Sequence, residues 1–213
     1  CLVFEPRRIV ASTLAQKLSD DGFSALPFSG ELPQTQRNPT LSAFRQGRIQ
    51  ALVSTDVAAR GIDIPGISTV IHADLPADVE TYVHRSGRTG RAGETGRSLL
   101  LVPGAAERRI RRLLQSARIP LDWRPVPGPS KVRQSLQQRH HTRLGPALDA
   151  AAGSSEEQRA RATALLEDRD PIEVVARLLE MTEPALPCEP REIRSSSAPA
   201  GPSAHSERGG SGP

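Results

Sequence analysis

QALVSTDVAARGIDIP, residues 50–65, joins two kinds of sequence. Residues 50–54 form an apolar run of strand length, and the polar, glycine-containing residues after it begin with Thr55 and Asp56. Ligands of open α/β sheets sit outside the carboxyl ends of the strands, so this junction places Thr55 and Asp56 at a functional edge. Beyond it, Arg60 offers a guanidinium fork for phosphate, Gly61 permits close backbone approach, and Asp63 is an acceptor suited to a ribose hydroxyl. Taken alone, a Thr-Asp pair is equally explained as a polar strand end capping a turn, so the reading depends on its surroundings.

Outward from this junction, residues 1–103 alternate short strand-type runs with helical patterns, as a parallel sheet covered by crossover helices requires. The expected strands are 1–5, 24–28, 50–54, 69–73 and 97–102. Val10, Leu14 and Leu18 recur at helical spacing and end at Gly22. A second helix is expected after Pro33, carrying Leu41 and Phe44 and stopping at Gly47 in a left-handed cap. A third, basic helix is expected over 105–118, with Ile110, Leu113, Leu114 and Ala117 on one side. The chain thus divides into an α/β domain over 1–118, a proline-rich linker over 119–130, a helical extension over 131–182 and a tail over 183–213. The tail is rich in Pro, Ser, Gly and Ala and is expected to be disordered, because it has too few large apolar side chains to offset its ordering entropy. Within the extension the helices are expected at 131–151 and 155–181, with Ile172, Val175 and Leu179 forming a stripe after Pro171.

Composition narrows the function classes. Aromatic residues are 3% of the 213, so stacking on exposed bases is not the expected mode of nucleic-acid binding. A net charge of +4 and a dominance of Arg over Lys are compatible with a polyanionic partner. Cys1 and Cys188 form no CxxC pair, so neither a zinc site nor a disulfide framework is indicated, and a reducing cytoplasm is expected. No apolar run reaches the ~18 residues of a membrane span, so no membrane partner is expected.

Two further segments carry chemistry. HRSGRTGRAG at 84–93 spaces Arg85, Arg88 and Arg91 three apart, with Gly87 and Gly90 between them. Small residues let an anion approach the backbone, and the arginines supply bidentate forks. SGELPQTQR at 29–37 runs from Gly30 into a helix start, where free backbone N–H groups and the helix dipole favour anions. Isolated, these segments read as a solvated basic turn and as an ordinary helix start.

In this order and spacing the segments resemble the second RecA-like domain of DEAD-box RNA helicases. CLVFEPRR resembles that family's fourth motif, SGELPQTQR its Gln-x-x-Arg segment, STDVAARGID its fifth and HRSGRTGRAG its sixth. The resemblance implies a RecA-like α/β fold, a parallel sheet flanked by helices. It implies that Arg88 and Arg91 act catalytically as arginine fingers on the ATP phosphates, and that Asp63 contacts the ATP ribose. His84 and Arg85 would couple the nucleotide and RNA sites, while Gly30, Arg37, Thr55, Arg60 and Gly61 would hold the RNA backbone. ATP and Mg2+ are the implied cofactors, bound mainly by the first RecA-like domain, which with RNA is the implied partner. Ser29, Glu5 and Pro6 depart from the residues usual in the family.

The chain contains no GxxxxGK phosphate loop and no Asp-Glu-Ala-Asp box, and it opens at Cys1 in an apolar run. The first RecA-like domain is therefore expected to lie outside this sequence, and these 213 residues are expected to hydrolyse negligible ATP alone. Residues 104–181 resemble, less specifically, the helical extension of some bacterial DEAD-box helicases, which dimerises one relative. Its apolar stripe either packs back on its own domain, the reading preferred from sequence, or forms a homodimer seam. The alternatives to an RNA helicase are a related ATP-driven DNA translocase and a non-enzymatic RNA-binding or dimerising module.

Overall fold

A computed structural model describes residues 1–59, 67–90, 95–149, 153–183 and 185–193. Five parallel strands, β1 (Leu2–Phe4), β2 (Ala25–Phe28), β3 (Ala51–Ser54), β4 (Thr69–His72) and β5 (Arg97–Leu100), form one sheet in the order β2-β3-β1-β4-β5. Register pairs Leu2 with Leu52 and Val70, and Phe4 with Ser54 and His72. Each of the five strands lies within a run expected from the sequence.

Strand side chains alternate between faces, and both faces here are apolar. Leu2, Phe4, Phe28, Leu52 and Val70 make one buried cluster with Ala58, Ala59 and Ile67, while Val3 and Val53 enter another with Ala11 and Ala15. Complete burial of a side chain such as Leu52 or Phe28 stabilises the fold by about 1.5–3 kcal/mol. Leu41 and Phe44 of α2 (Gln34–Arg45) pack against the first cluster. The second is covered by α1 (Arg8–Asp20).

The buried line of α1 runs through Ala11 and Ala15, with Leu14 and Leu18 half-buried beside it. Sequence periodicity selected Val10, Leu14 and Leu18, because it weights large side chains. A helix seated closely on a sheet instead puts small residues at the line of contact. Both α1 and α2 end in glycines with positive φ, Gly22 at 85° and Gly47 at 71°.

The sequence reading passed over two helices, α3 (Asp56–Ala59) and α4 (Val79–Ser86). The basic helix α5 (Glu107–Ser116) follows a 3-10 turn at Gly104–Ala106 and buries Ile110 and Leu114. Cys1–Pro125 form one compact unit, and Val126–Ile193 form another. The second unit contains α6 (Pro129–Asp149), α7 (Glu156–Leu166) and α8 (Pro171–Thr182). The helix expected over 155–181 is two helices, because Asp170 caps a new start by accepting the Ile172 N–H at 2.8 Å, with Pro171 beginning the turn. Residues 194–213, most of the expected tail, lie outside the described residues.

Candidate functional site

The carboxyl ends of β1, β3 and β4 are followed by Glu5, by Thr55 and Asp56, and by Ala73 and Asp74. Arg85, in the last turn of α4, reaches back among them and is only 3% exposed. Its Nε donates to Asp56 Oδ1 and its Nη2 to Asp56 Oδ2, both at 2.7 Å, while Nη1 donates to the Asp74 carbonyl at 2.9 Å. The guanidinium carbon also lies 5.3 Å from the centre of the Phe4 ring. One side chain therefore ties together the residues that follow β3 and β4 and rests on the last residue of β1. The sequence reading placed Arg85 in a phosphate-binding cluster, whereas in the structure its fork faces Asp56. Glu5 is held above the ordinary carboxyl pKa by desolvation and the Asp74 carboxylate, with Arg85 and Arg7 opposing them.

Local chemistry sets the placement of α4. Asp78 caps it by accepting the Thr81 N–H at 2.7 Å, and that bond lowers the Asp78 pKa. The ring of Tyr82 stacks on His72 of β4, with centroids 5.3 Å apart. His72 is fully buried, its Nε2 lying 3.0 Å from Ser98 Oγ and 3.4 Å from Ser86 Oγ, and the two serine oxygens are 2.8 Å apart. Burial, followed by the Arg85 charge, lowers the His72 pKa to about 4 against the opposing pull of Asp56, so the imidazole is neutral at pH 7.

After α4 the chain turns through Gly87, and Gly90 has φ 67°. Thr89 donates its hydroxyl to the Ile67 carbonyl. This geometry brings His84 and Arg88 to a cavity of about 160 Å³ that Phe4, Asp56, Ala59, Thr81 and Arg85 complete. His84 is exposed, with Nε2 4.0 Å from Glu80 Oε1.

A second group meets at α3. Arg37 of α2 donates to the Ala58 carbonyl at 3.3 Å and lies over the Phe28 ring at 4.5 Å. Thr55 Oγ1 accepts the Ala58 N–H at 3.4 Å. A Cβ on Gly30 would meet only Val57 Cγ1, at 3.9 Å, so the fold itself leaves room for a side chain there and the backbone stays open to approach. Gly30, Arg37 and Thr55 are thus gathered around α3, whose first residue is the partner of Arg85. Arg60, Gly61, Asp63 and Arg91 lie outside the described residues.

Sequence reasoning noted Asp56 at the sheet edge but gave it no role, and it passed over His72, Ser86 and Ser98. The signal for α4 was present in Asp78, an N-cap residue type, with acidic Glu80 in the turn that follows. Nothing local in the sequence pairs Asp56 with a residue 29 positions away.

Known proteins share the sequence and fold of this region. Residues 1–93 match the helicase conserved C-terminal domain. The DEAD-box ATP-dependent RNA helicase CshA of Bacillus subtilis is 35% identical over 180 residues, which cover 84% of this chain and 36% of that protein. The ATP-dependent RNA helicase DeaD of Mycobacterium tuberculosis is 45% identical over 126 residues, covering 56% of this chain and 22% of its own length. Among solved structures, the E. coli DEAD-box protein SrmB, bound to regulator of ribonuclease activity A, superposes with a TM-score of 0.55 at 37% identity. That match covers 59% of this chain and 74% of the SrmB chain. A RecA-like parallel sheet flanked by helices defines the class of protein. The chain belongs to the DEAD-box helicase family and carries that family's C-terminal domain. It spans between a fifth and just over a third of the length of the two curated relatives named here.

Asp56→Ala removes two of the three acceptors of a buried guanidinium and is expected to cost about 2–3 kcal/mol. This is less than for a fully enclosed pair, because the Asp56 side chain is 38% exposed. Urea unfolding measures it, and a loss below about 0.5 kcal/mol, within surface-substitution range, contradicts the assignment. His72 generates a pH dependence. Its folded pKa lies below the ordinary 6.5, so the unfolded chain binds more protons and stability falls as pH drops from 6.5 to about 4. The loss reaches the order of 3 kcal/mol at the acid end. The stability advantage of the native chain over His72→Gln is therefore expected to shrink steadily below pH 6.5, and an advantage that stays flat down to pH 4.5 rejects it.

Proposed function

We propose that this chain is the C-terminal, lid-forming half of an ATP-dependent RNA helicase, which remodels RNA when ATP and a single strand clamp two RecA-like domains together. One observation carries the reading. The four-residue helix α3, which opens at Asp56 directly after Thr55 and whose Ala58 carbonyl accepts from Arg37, joins the Arg37, Thr55 and Gly30 group to the Asp56, Arg85, His84 and Arg88 group. A shift at either group is passed to the other through that single turn, which is what coupling RNA binding to nucleotide hydrolysis requires. The names of the relatives, ATP-dependent RNA helicases, agree with it.

On this reading Arg88 and Arg91 contact the ATP phosphates as charge develops in the transition state, and Asp63 receives the ribose. ATP supplies the phosphoryl group whose transfer to water reopens the clamp. Arg37, Thr55, Arg60 and Gly61 hold RNA phosphates, with Gly30 leaving room for the strand. His84 and Arg85 act as coupling residues, Arg85 by holding Asp56 in place. The described residues do not fit a magnesium ion, since they contain no suitable cluster of ligating side chains and both Asp56 oxygens are engaged by Arg85. The ion belongs with the other half of the enzyme in this reading. A cytoplasmic setting, in keeping with two free cysteines, completes it.

The extension supports a second element, a homodimer. Ile172, Val175, Leu178, Leu179 and Met181 of α8 are exposed, and neither α7 nor α8 has a buried residue among those described. An apolar stripe of this kind fits a symmetric seam with a second copy. Sedimentation velocity is expected to show a dimer that Val175→Glu converts to monomer; a native chain that sediments as a monomer at all concentrations rejects the seam.

Mixing the chain with the N-terminal half of the B. subtilis relative tests the main proposal. RNA-stimulated ATP hydrolysis is expected in the mixture, negligible hydrolysis by the chain alone, and a loss of roughly 10³-fold or more for Arg88→Ala or Arg91→Ala. Turnover by the chain alone, or full stimulation by the arginine variants, defeats it.

A further inference from the structure

We propose that the outer face of α5 is a second contact for RNA phosphates, separate from the groove around Gly30, Arg37 and Thr55. The inference builds on the RNA-handling reading and extends it to the opposite flank of the sheet. The groove residues follow or cover β2 and β3, whereas α5 follows β5 at the other edge.

Charge is concentrated there. The chain carries a formal net charge of +4, and residues 107–118 alone hold five arginines against one glutamate. Two of the five have internal work. Arg109 donates to the Pro76 carbonyl at 3.0 Å, while Arg111 pairs with Glu107 at 3.0 Å and lies over the Trp123 ring at 4.9 Å. Arg108, Arg112 and Arg118 are exposed, and the bond from Arg112 Nε to the Arg108 carbonyl, at 3.3 Å, neutralises neither charge. Arg108 and Arg112 stand one helical turn apart, where like charges repel and destabilise the helix.

Arg118 adds an independent observation. The helices α1, α2 and α5 end in the same pair of backbone bonds, in which the residue after the C-cap bonds back three positions and its successor five. In α1 these are Gly22 to Ser19 and Phe23 to Leu18, in α2 Gly47 to Phe44 and Arg48 to Ala43, and in α5 Arg118 to Gln115 and Ile119 to Leu114. This closure requires a left-handed residue, and glycine fills the position in α1 and α2. In α5 it is Arg118, at φ 56°, the single non-glycine residue with positive φ among those described. A strained arginine where glycine costs nothing, beside two arginines that repel each other, is a sequence that sacrifices stability for guanidinium groups on one surface.

A phosphodiester backbone is the occupant that fits. Guanidinium forks match phosphate oxygens, and the face offers no apolar centre of the kind a protein interface needs, since Ile110 and Leu114 are turned fully into the core. The contact would be indifferent to base sequence and active without ATP.

The test uses the full 213-residue chain. Binding of a short fluorescein-labelled single-stranded RNA is followed by anisotropy across a salt series, for the native chain, for Arg108→Ala/Arg112→Ala/Arg118→Gly, for Arg37→Ala and for the combination. Loss of three phosphate contacts is expected to make the slope of log affinity against log salt shallower by about 2 units. The melting temperature of the triple variant should equal or exceed that of the native chain, because Arg118→Gly removes the left-handed strain. Additivity with Arg37→Ala is expected for separate surfaces. RNA binding with an unchanged slope in the triple variant overturns the α5 contact and leaves the groove reading standing. Absence of RNA binding by the native chain overturns both. Displacement of RNA from the native chain by polyglutamate at equal charge concentration reassigns the face to an acidic protein.

Discussion

The guanidinium of Arg85 is a permanent charge placed where water scarcely reaches, and the fold around the carboxyl edge of the sheet depends on how that charge is compensated. A cation taken out of water costs several kcal/mol unless its donors are met with good geometry. Here Asp56 accepts two parallel bonds, the Asp74 carbonyl a third, and the Phe4 ring offers its negative face. Because Asp56 opens α3, Asp74 follows β4, and Phe4 ends β1, satisfying one arginine registers three strands against α4. The His84 and Arg88 wall of the cavity is consequently set by a residue that itself points inward.

His72 makes that arrangement conditional on protonation. It lies under α4, stacked on Tyr82 and bonded to Ser86 and Ser98, so it seats the helix from below and links it to β5. A charged imidazole in this place would face the Arg85 cation without solvent to separate them, which is why both burial and Arg85 lower its pKa. The neutral ring and the charged arginine are therefore one design. Hydrogen bonds between Nε2 and the two serines locate α4 on the sheet, while the buried Nδ1 of the same ring meets no partner among the described residues.

How much of this was legible follows from what sequence patterns encode. The strands were readable because each is a continuous apolar run buried on both faces, as Leu2, Val3 and Phe4 show. The contact line of α1 was misread because Ala11 and Ala15 carry little hydrophobic weight, although their smallness is what lets the helix approach. The glycine-arginine spacing of 84–93 pointed to a candidate site, yet hid how differently its arginines are placed. Arg85 and Arg88 look equivalent in sequence, and only the register of a helix end turns one toward Asp56 and the other toward the cavity. Pairings between residues 29 positions apart are set by topology, and no local pattern announces them.

The scarcity of aromatic residues takes on a sharper meaning in the folded chain. With one Trp, one Tyr and four Phe, few rings exist to stack on bases, and the structure employs most of them otherwise. Phe4 lies beneath Arg85, Phe28 beneath Arg37 and Trp123 beneath Arg111, while Tyr82 covers His72. A guanidinium resting on a ring loses little rotamer freedom when it binds, because its plane is already held. Rings used in this way stiffen arginines and contribute no preference for any base.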